Sequence, residues 1–255
     1  MMPVLAIIKK DLRAFFGSSM FYLLSGLCCL LWGLFFSFDF YKFVEESFRL
    51  SSQSKDSGLN IHQHLVADYV VVVHYVLVFI IAALNMKFFA EEKKLKTFPL
   101  LLSSPVTSWQ LVLAKTGVGA VVLFVLLGIS SVFPLSMVFF GEVPISLLLF
   151  SYFGAFLILM VYVCAGVLAS ALTDSLIVSV VLSLVFSLTL LLMGAGREFS
   201  SSLAVQEMFQ YISIDFHFSF FRKGSLSPTS VLFFLSLSGF FSLLSERVIE
   251  FHRWR

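Results

Sequence analysis

Six stretches of this chain contain no Asp, Glu, Lys or Arg: 14–38, 69–86, 116–141, 143–173, 175–196 and 224–245. A helix crosses the hydrocarbon of a bilayer with about 20 mostly apolar residues, and each stretch is close to that length or beyond it. Composition points the same way. The chain is 59% hydrophobic and 13% charged, whereas a soluble domain carries about 25% charged residues. A soluble globular fold, a disordered chain and a disulfide-stapled secreted scaffold are excluded. The expected fold class is an all-α integral membrane protein of six transmembrane helices, forming a single domain over residues 1–255. Cys28, Cys29 and Cys164 fall inside the predicted spans and read as small apolar residues. A net charge of +2, with its basic residues scattered, gives no nucleic-acid footprint. The first run is too long for the apolar core of a signal peptide and lacks a small-residue cleavage site, so it reads as a retained helix.

Spans placed at about 21–38, 69–89, 111–133, 147–171, 176–193 and 231–244 put both termini on one side. That side receives eleven of the 17 Lys and Arg residues. Positive residues stay in the cytoplasm, so both termini are expected to be cytoplasmic.

Residues 1–18 read as an interfacial helix. Val4, Leu5, Ile8, Leu12, Phe15 and Phe16 recur at helical spacing, and Lys9, Lys10 and Arg13 take the other face. A solvated start to the first span, carrying stop-transfer charges, fits the same residues. Tyr41 to Asp68 reads as a polar external loop. It holds His62 and His64, which are half a metal site at most, with no cysteine or carboxylate cluster beside them, and no metal is assigned.

Residues 91–108 form the most informative segment. A charged start, Glu91-Glu92-Lys93-Lys94, leads to a short apolar stretch from Phe98 to Leu102 between two prolines. Thr97 is placed to cap a short helix with Pro99 in its first turn, and Thr107 with Gln110 fits a capping box that opens the third span. The result is a helical elbow presenting Leu100, Leu101 and Leu102. A lone apolar turn cannot hold itself in water. It packs either on this chain's own spans or in a partner's groove, and the residues alone leave both open.

Gly154, Ala155, Ala165, Gly166, Ala169 and Ser170 supply small residues for close helix contact in the fourth span. Asp174, in a very short connection, is placed to cap the fifth helix. Residues 194–230 form an external interfacial segment in which aromatic residues alternate with Asp215, His217, Arg222 and Lys223.

No phosphate-binding GxxxxGK[ST] loop occurs, and neither does a GxSxG elbow or an HExxH pair. Asp68, Lys87, Lys115, Asp174 and Arg197 all lie at span ends, and only His74 sits inside a run. Intramembrane charges mark ion and proton pathways, so their absence here speaks against a proton-coupled carrier. Energy for transport would come from outside the chain.

The string Glu91-Glu92-Lys93-Lys94, Thr97, Leu100-Leu101-Leu102-Ser103-Ser104-Pro105-Val106 and Val112-Leu113-Ala114-Lys115 resembles the coupling-helix signature of type-2 ABC transporter permeases. The likeness is closest to the gliding-motility permease subfamily. Lys9-Lys10-Asp11-Leu12-Arg13, Ala169 to Ser175, and Ile214-Asp215-Phe216-His217-Phe218 extend it along the chain. The chain departs from the pattern at Lys96, where the family usually has glycine, at Pro99, where it usually has an acid, and at Asp11, where it usually has glutamate. The resemblance implies a non-catalytic permease subunit of the bacterial inner membrane, with an interfacial helix carrying Lys9, Lys10 and Arg13. Glu91, Glu92, Thr97, Leu100, Leu101, Ser104 and Pro105 would form the coupling segment that docks on a separate ATPase dimer. ATP and Mg would bind that partner, with no cofactor in this chain. A second permease half, either a copy or a companion with an external domain, would complete a complex that exports a substrate or transmits force. The rival reading is a structural or assembly membrane protein that transports nothing.

Overall fold

Gly17 and Ser18 interrupt the first long helical pattern, and the chain then alternates long apolar helices with short amphipathic ones. A computed structural model describes residues 2–52, 65–103, 106–139, 144–199 and 202–253. The order is α1 (Met2–Phe16), α2 (Ser19–Ser52), α3 (Ala67–Asn85), α4 (Ala90–Lys94), α5 (Phe98–Leu102), α6 (Ser108–Phe139), α7 (Ile145–Leu172) and α8 (Leu176–Leu192). A tighter 3-10 turn (Met193–Phe199), α9 (Leu203–Ile212), α10 (Ile214–Arg222) and α11 (Pro228–Arg253) follow. No strand occurs among the described residues, and six helical segments are long and apolar enough to cross a membrane. His62, His64, Ser104, Pro105, Trp254, Arg255 and residues 140–143 lie outside the described residues.

α7 is the hub. Most of its span is buried inside the bundle (83%), against 22% for the spans of α2, α8 and α11. Its small residues make this possible. Gly154, Ala155, Ala165, Gly166, Ala169 and Ser170 are all buried. A Cβ on Gly166 would collide with the Asn85 side chain, whose Nδ2 donates to Ser183 Oγ at 2.9 Å, so α3 and α8 meet across that glycine. The intramembrane His74 is a satisfied core residue: its Nε2 lies 3.2 Å from the Tyr162 hydroxyl, with the rings stacked.

Two helices run further than the sequence pattern suggests. α2 continues through the expected polar loop as far as Ser52, because residues 34–52 contain no glycine or proline and Lys42 pairs with Asp39 one turn away at 3.8 Å. Its 34 residues span about 51 Å at 1.5 Å each, well beyond the hydrocarbon thickness. α6 passes through Pro134. Proline there removes the N–H that would bond the Ser130 carbonyl, and the Tyr69 hydroxyl donates to that carbonyl instead, at 2.9 Å.

The described residues between 194 and 227 fold chiefly as the 3-10 turn and two short helices. α10 buries Ile214, His217, Phe218 and Phe221 on one face, and Ser213 accepts a hydrogen bond from Phe216 N–H at its start. It ends in a left-handed glycine: Gly224, at φ 76°, bonds Phe221 O, and Ser225 N–H bonds Phe220 O. This Schellman closure uses the residue that accepts positive φ without strain.

Candidate functional site

The end of the bundle that carries both termini (the terminal end) gathers α1, α4, α5, the start of α6 and the last turn of α11. α4 and α5 are five residues each, too short to persist alone, so their environment must hold them. Ser170 of α7 does part of this. Its hydroxyl oxygen accepts from both Phe89 N–H and Ala90 N–H, each at 2.9 Å. It supplies from across the fold the cap that no side chain in α4 itself provides. Lys93 Nζ donates to the Ala171 carbonyl at 2.6 Å and pairs with Asp174 at 3.3 Å. Asp174 is therefore a tether for α4. It does not cap α8, whose N-cap position is Ser175, without a side-chain bond.

α4 closes as α10 does: Thr97 N–H bonds Glu92 O at 2.9 Å and Lys96 N–H bonds Lys93 O at 3.0 Å. Here the left-handed position is Lys96, at φ 58°. Thr97 occupies the N-cap position of α5 with no capping bond. Its hydroxyl donates instead to the Glu92 carbonyl at 3.2 Å. Phe98 turns inward and meets His252 of α11 edge-on, while Arg253 donates to the Leu102 carbonyl at 3.4 Å. Leu101 and Leu102 pack half-buried against the core. Of the three leucines only Leu100 faces out, at 72% exposure.

Beneath this elbow lies a buried ion cluster. Lys115 on α6, placed by the sequence at a span end, is 1% exposed. Its Nζ donates to Asp11 Oδ2 of α1 at 2.7 Å and to Glu92 Oε1 of α4 at 2.8 Å, and lies 5.6 Å from the Phe89 ring centroid. Lys10 adds a second ammonium, 3.3 Å from Glu92 and 3.6 Å from Asp11. Two cations thus face two carboxylates, which offsets the desolvation of each. Partial burial works against the Lys10 charge, but the Glu92 and Asp11 carboxylates outweigh it and hold the ammonium above its ordinary value. Glu92 Oε2 is buried without a hydrogen-bond partner among the described residues, so the cluster keeps unused acceptor capacity.

The sequence-predicted residues therefore separate. Glu92, Thr97 and Lys10 join one network, and Glu91 is half-buried beside it. Leu101 serves the core and Leu100 the surface, while Lys9 and Arg13 remain exposed. Asp11, Lys115 and Ser170 were missed as network members. Lys115 carried the one usable signal, a lysine a full turn inside the start of an apolar helix.

Long apolar helices around a small-residue hub, six of them long and apolar enough to cross a membrane, with short helices pinned by ions at one end, are the build of a multi-pass membrane protein. Residues 5–246 match the family described as ABC-2 family transporter protein. The chain belongs to that family. No curated protein matches it.

Proposed function

We propose that the chain is the membrane half of a type-2 ABC transporter of the gliding-motility kind, driven by a separate ATPase dimer that docks on α4–α5. In this reading the terminal end is cytoplasmic, in a bacterial inner membrane. ATP and Mg act on the partner, and a second permease half, a copy or a companion with an external domain, completes the complex. Its output is export or force transmission.

The observation that carries this is Leu100. A large apolar side chain stands in solvent on a five-residue helix whose Phe98 is buried and whose Leu101 and Leu102 are half-buried, and Leu95, also exposed, flanks the same turn. The ion cluster explains how a push there would spread. Glu92 sits at the root of the elbow and shares Lys115 with Asp11, so displacing α4 loads α1 and α6 together.

Leu100→Glu tests the docking role. Its side chain supports no internal contact of the core, so melting of the purified protein should not change, whereas recovery of the ATPase in mild detergent should fall about tenfold, the worth of one apolar anchor. Full ATPase association with unaltered transport would sink the proposal.

A further inference from the structure

α1 and the α3–α4 turn do not close fully on each other. Between them lies a part-open cavity of about 160 Å³ lined by Asp11, Ala14, Phe15, Ser18, Lys87 and Glu91. Its chemistry is mixed in sign. Lys87 Nζ donates to Ser18 Oγ at 2.7 Å and lies 5.4 Å from the Phe15 ring centroid. Among the described residues no carboxylate pairs with Lys87 and no cation pairs with Glu91. Asp11 adds a second carboxylate to the wall, but Lys115 and Lys10 already engage its two oxygens, which leaves Glu91 as the open acceptor.

An ammonium and a carboxylate that share a cavity without meeting suit a ligand carrying both signs. The place narrows the ligand further. Ser18 is the elbow between α1 and the first span, and the opening turns of α2 expose Tyr22, Leu23, Leu27 and Leu30, an apolar track leading away from the cavity. We propose that this cavity binds the headgroup of a phospholipid with a primary ammonium, of the phosphatidylethanolamine class. The phosphate takes Lys87 Nζ and the Ser18 hydroxyl, the ammonium takes the Glu91 carboxylate, and the acyl chains follow α2. A primary ammonium has N–H groups for carboxylate oxygens. A quaternary choline has none and favours aromatic faces, and an anionic headgroup would meet Glu91 with like charge.

The site does not depend on ATPase docking, so its test uses the full chain alone in mild detergent. Melting is followed during titration with dioctanoyl phosphatidylethanolamine, phosphatidylcholine and phosphatidylglycerol, and with inorganic phosphate. The expected result is a saturable rise in melting temperature with the ethanolamine lipid, about tenfold weaker binding of the other two lipids, and no response to phosphate. Lys87→Gln should abolish the response, Lys87→Arg should keep it, and Glu91→Gln should erase the preference for ethanolamine over glycerol headgroups. The ligand-free melting temperature of each variant reports its folding separately. Equal or tighter binding of phosphatidylglycerol or phosphatidylcholine, a full response to phosphate alone, or wild-type behaviour of Lys87→Gln and Glu91→Gln would overturn the proposal.

Discussion

The α4–α5 elbow and the α9–α10 segment are built alike and held differently. Each is a pair of short helices beside the long ones, and each ends a helix in a Schellman closure, at Lys96 in one and Gly224 in the other. The elbow is pinned by ions: Lys115, Asp11, Glu92, Lys10, Lys93 and Asp174. The other segment is held by rings. Phe221 fills the space left by Gly154, and His217 stacks on Phe233 at 4.1 Å. His217 Nε2 donates to the Tyr211 carbonyl at 2.9 Å, and its Nδ1 lies 3.0 Å from the Ser230 hydroxyl. Apolar contact scales with area and has little direction, whereas a charge-assisted bond is directional and links named atoms on separate elements. One end of the molecule is wired and the other is plugged.

The largest expected effect breaks the wiring. Lys115→Met leaves Asp11 and Glu92 facing each other with only the mostly exposed Lys10 beside them, a loss approaching the ~3–5 kcal/mol seen when one partner of a buried pair is removed. At the plugged end, His217→Phe keeps a flat ring on Phe233 and loses only the bonds to Ser230 and Tyr211, about 1–3 kcal/mol. Unfolding of both variants by denaturant in the same detergent measures the contrast, and equal losses would break it.

The wired end was the harder one to read from sequence. Features set by a few neighbouring residues were legible. The six uncharged runs became the spans, and Thr107 and Gln110 form both bonds of the capping box, at 3.3 and 3.2 Å. Pro99 lies in the first turn of α5. What failed depended on distant chain segments. Asp11, Glu92 and Lys115 meet only because α1 folds back across the start of α6, so a lysine that counts as an end charge in sequence is a buried centre in space. Ser170 reads as a small packing residue until α4 is placed against it. Asp174 has the local look of a cap and the tertiary role of a tether to Lys93. The His62 and His64 pair lies outside the described residues.

The two Schellman closures sharpen the comparison with changes of opposite sign. Gly224→Ala forces a Cβ into the left-handed region and against Leu147, so it should cost at least about 1–2 kcal/mol. Lys96→Gly relieves the same conformational cost at the wired end and loses part of the gain to the freer unfolded chain, a net stabilisation of about 0.5–1 kcal/mol. The family resemblance places glycine at that position, and a positive φ is the physical reason for it. Thermal unfolding of the two variants side by side should move in opposite directions. A destabilised Lys96→Gly would mean that the lysine side chain holds the elbow by a contact stronger than its backbone strain.

The smallest effect lies in the outermost wire. Lys10 is mostly exposed, and the carboxylates of Glu92 and Asp11 raise its proton affinity in the folded state above the ordinary value of 10.5. A raised cationic pKa means the folded protein holds this proton more tightly than the unfolded chain does. Its contribution is therefore complete below the ordinary lysine value and disappears as pH rises through the folded one. Neutral and acidic pH should show no slope from Lys10, and the alkaline side should show a small one. Lys10→Met removes that slope while leaving Lys115 to hold Asp11 and Glu92. The measurement is the difference in unfolding free energy between wild type and Lys10→Met from pH 7 to about pH 11, in which titrations common to both proteins largely cancel. The difference should be flat to about pH 10 and then shrink. A difference that instead grows with alkalinity would mean that Lys10 is bound less tightly to its proton in the fold, and that the cluster is wired through Lys115 alone.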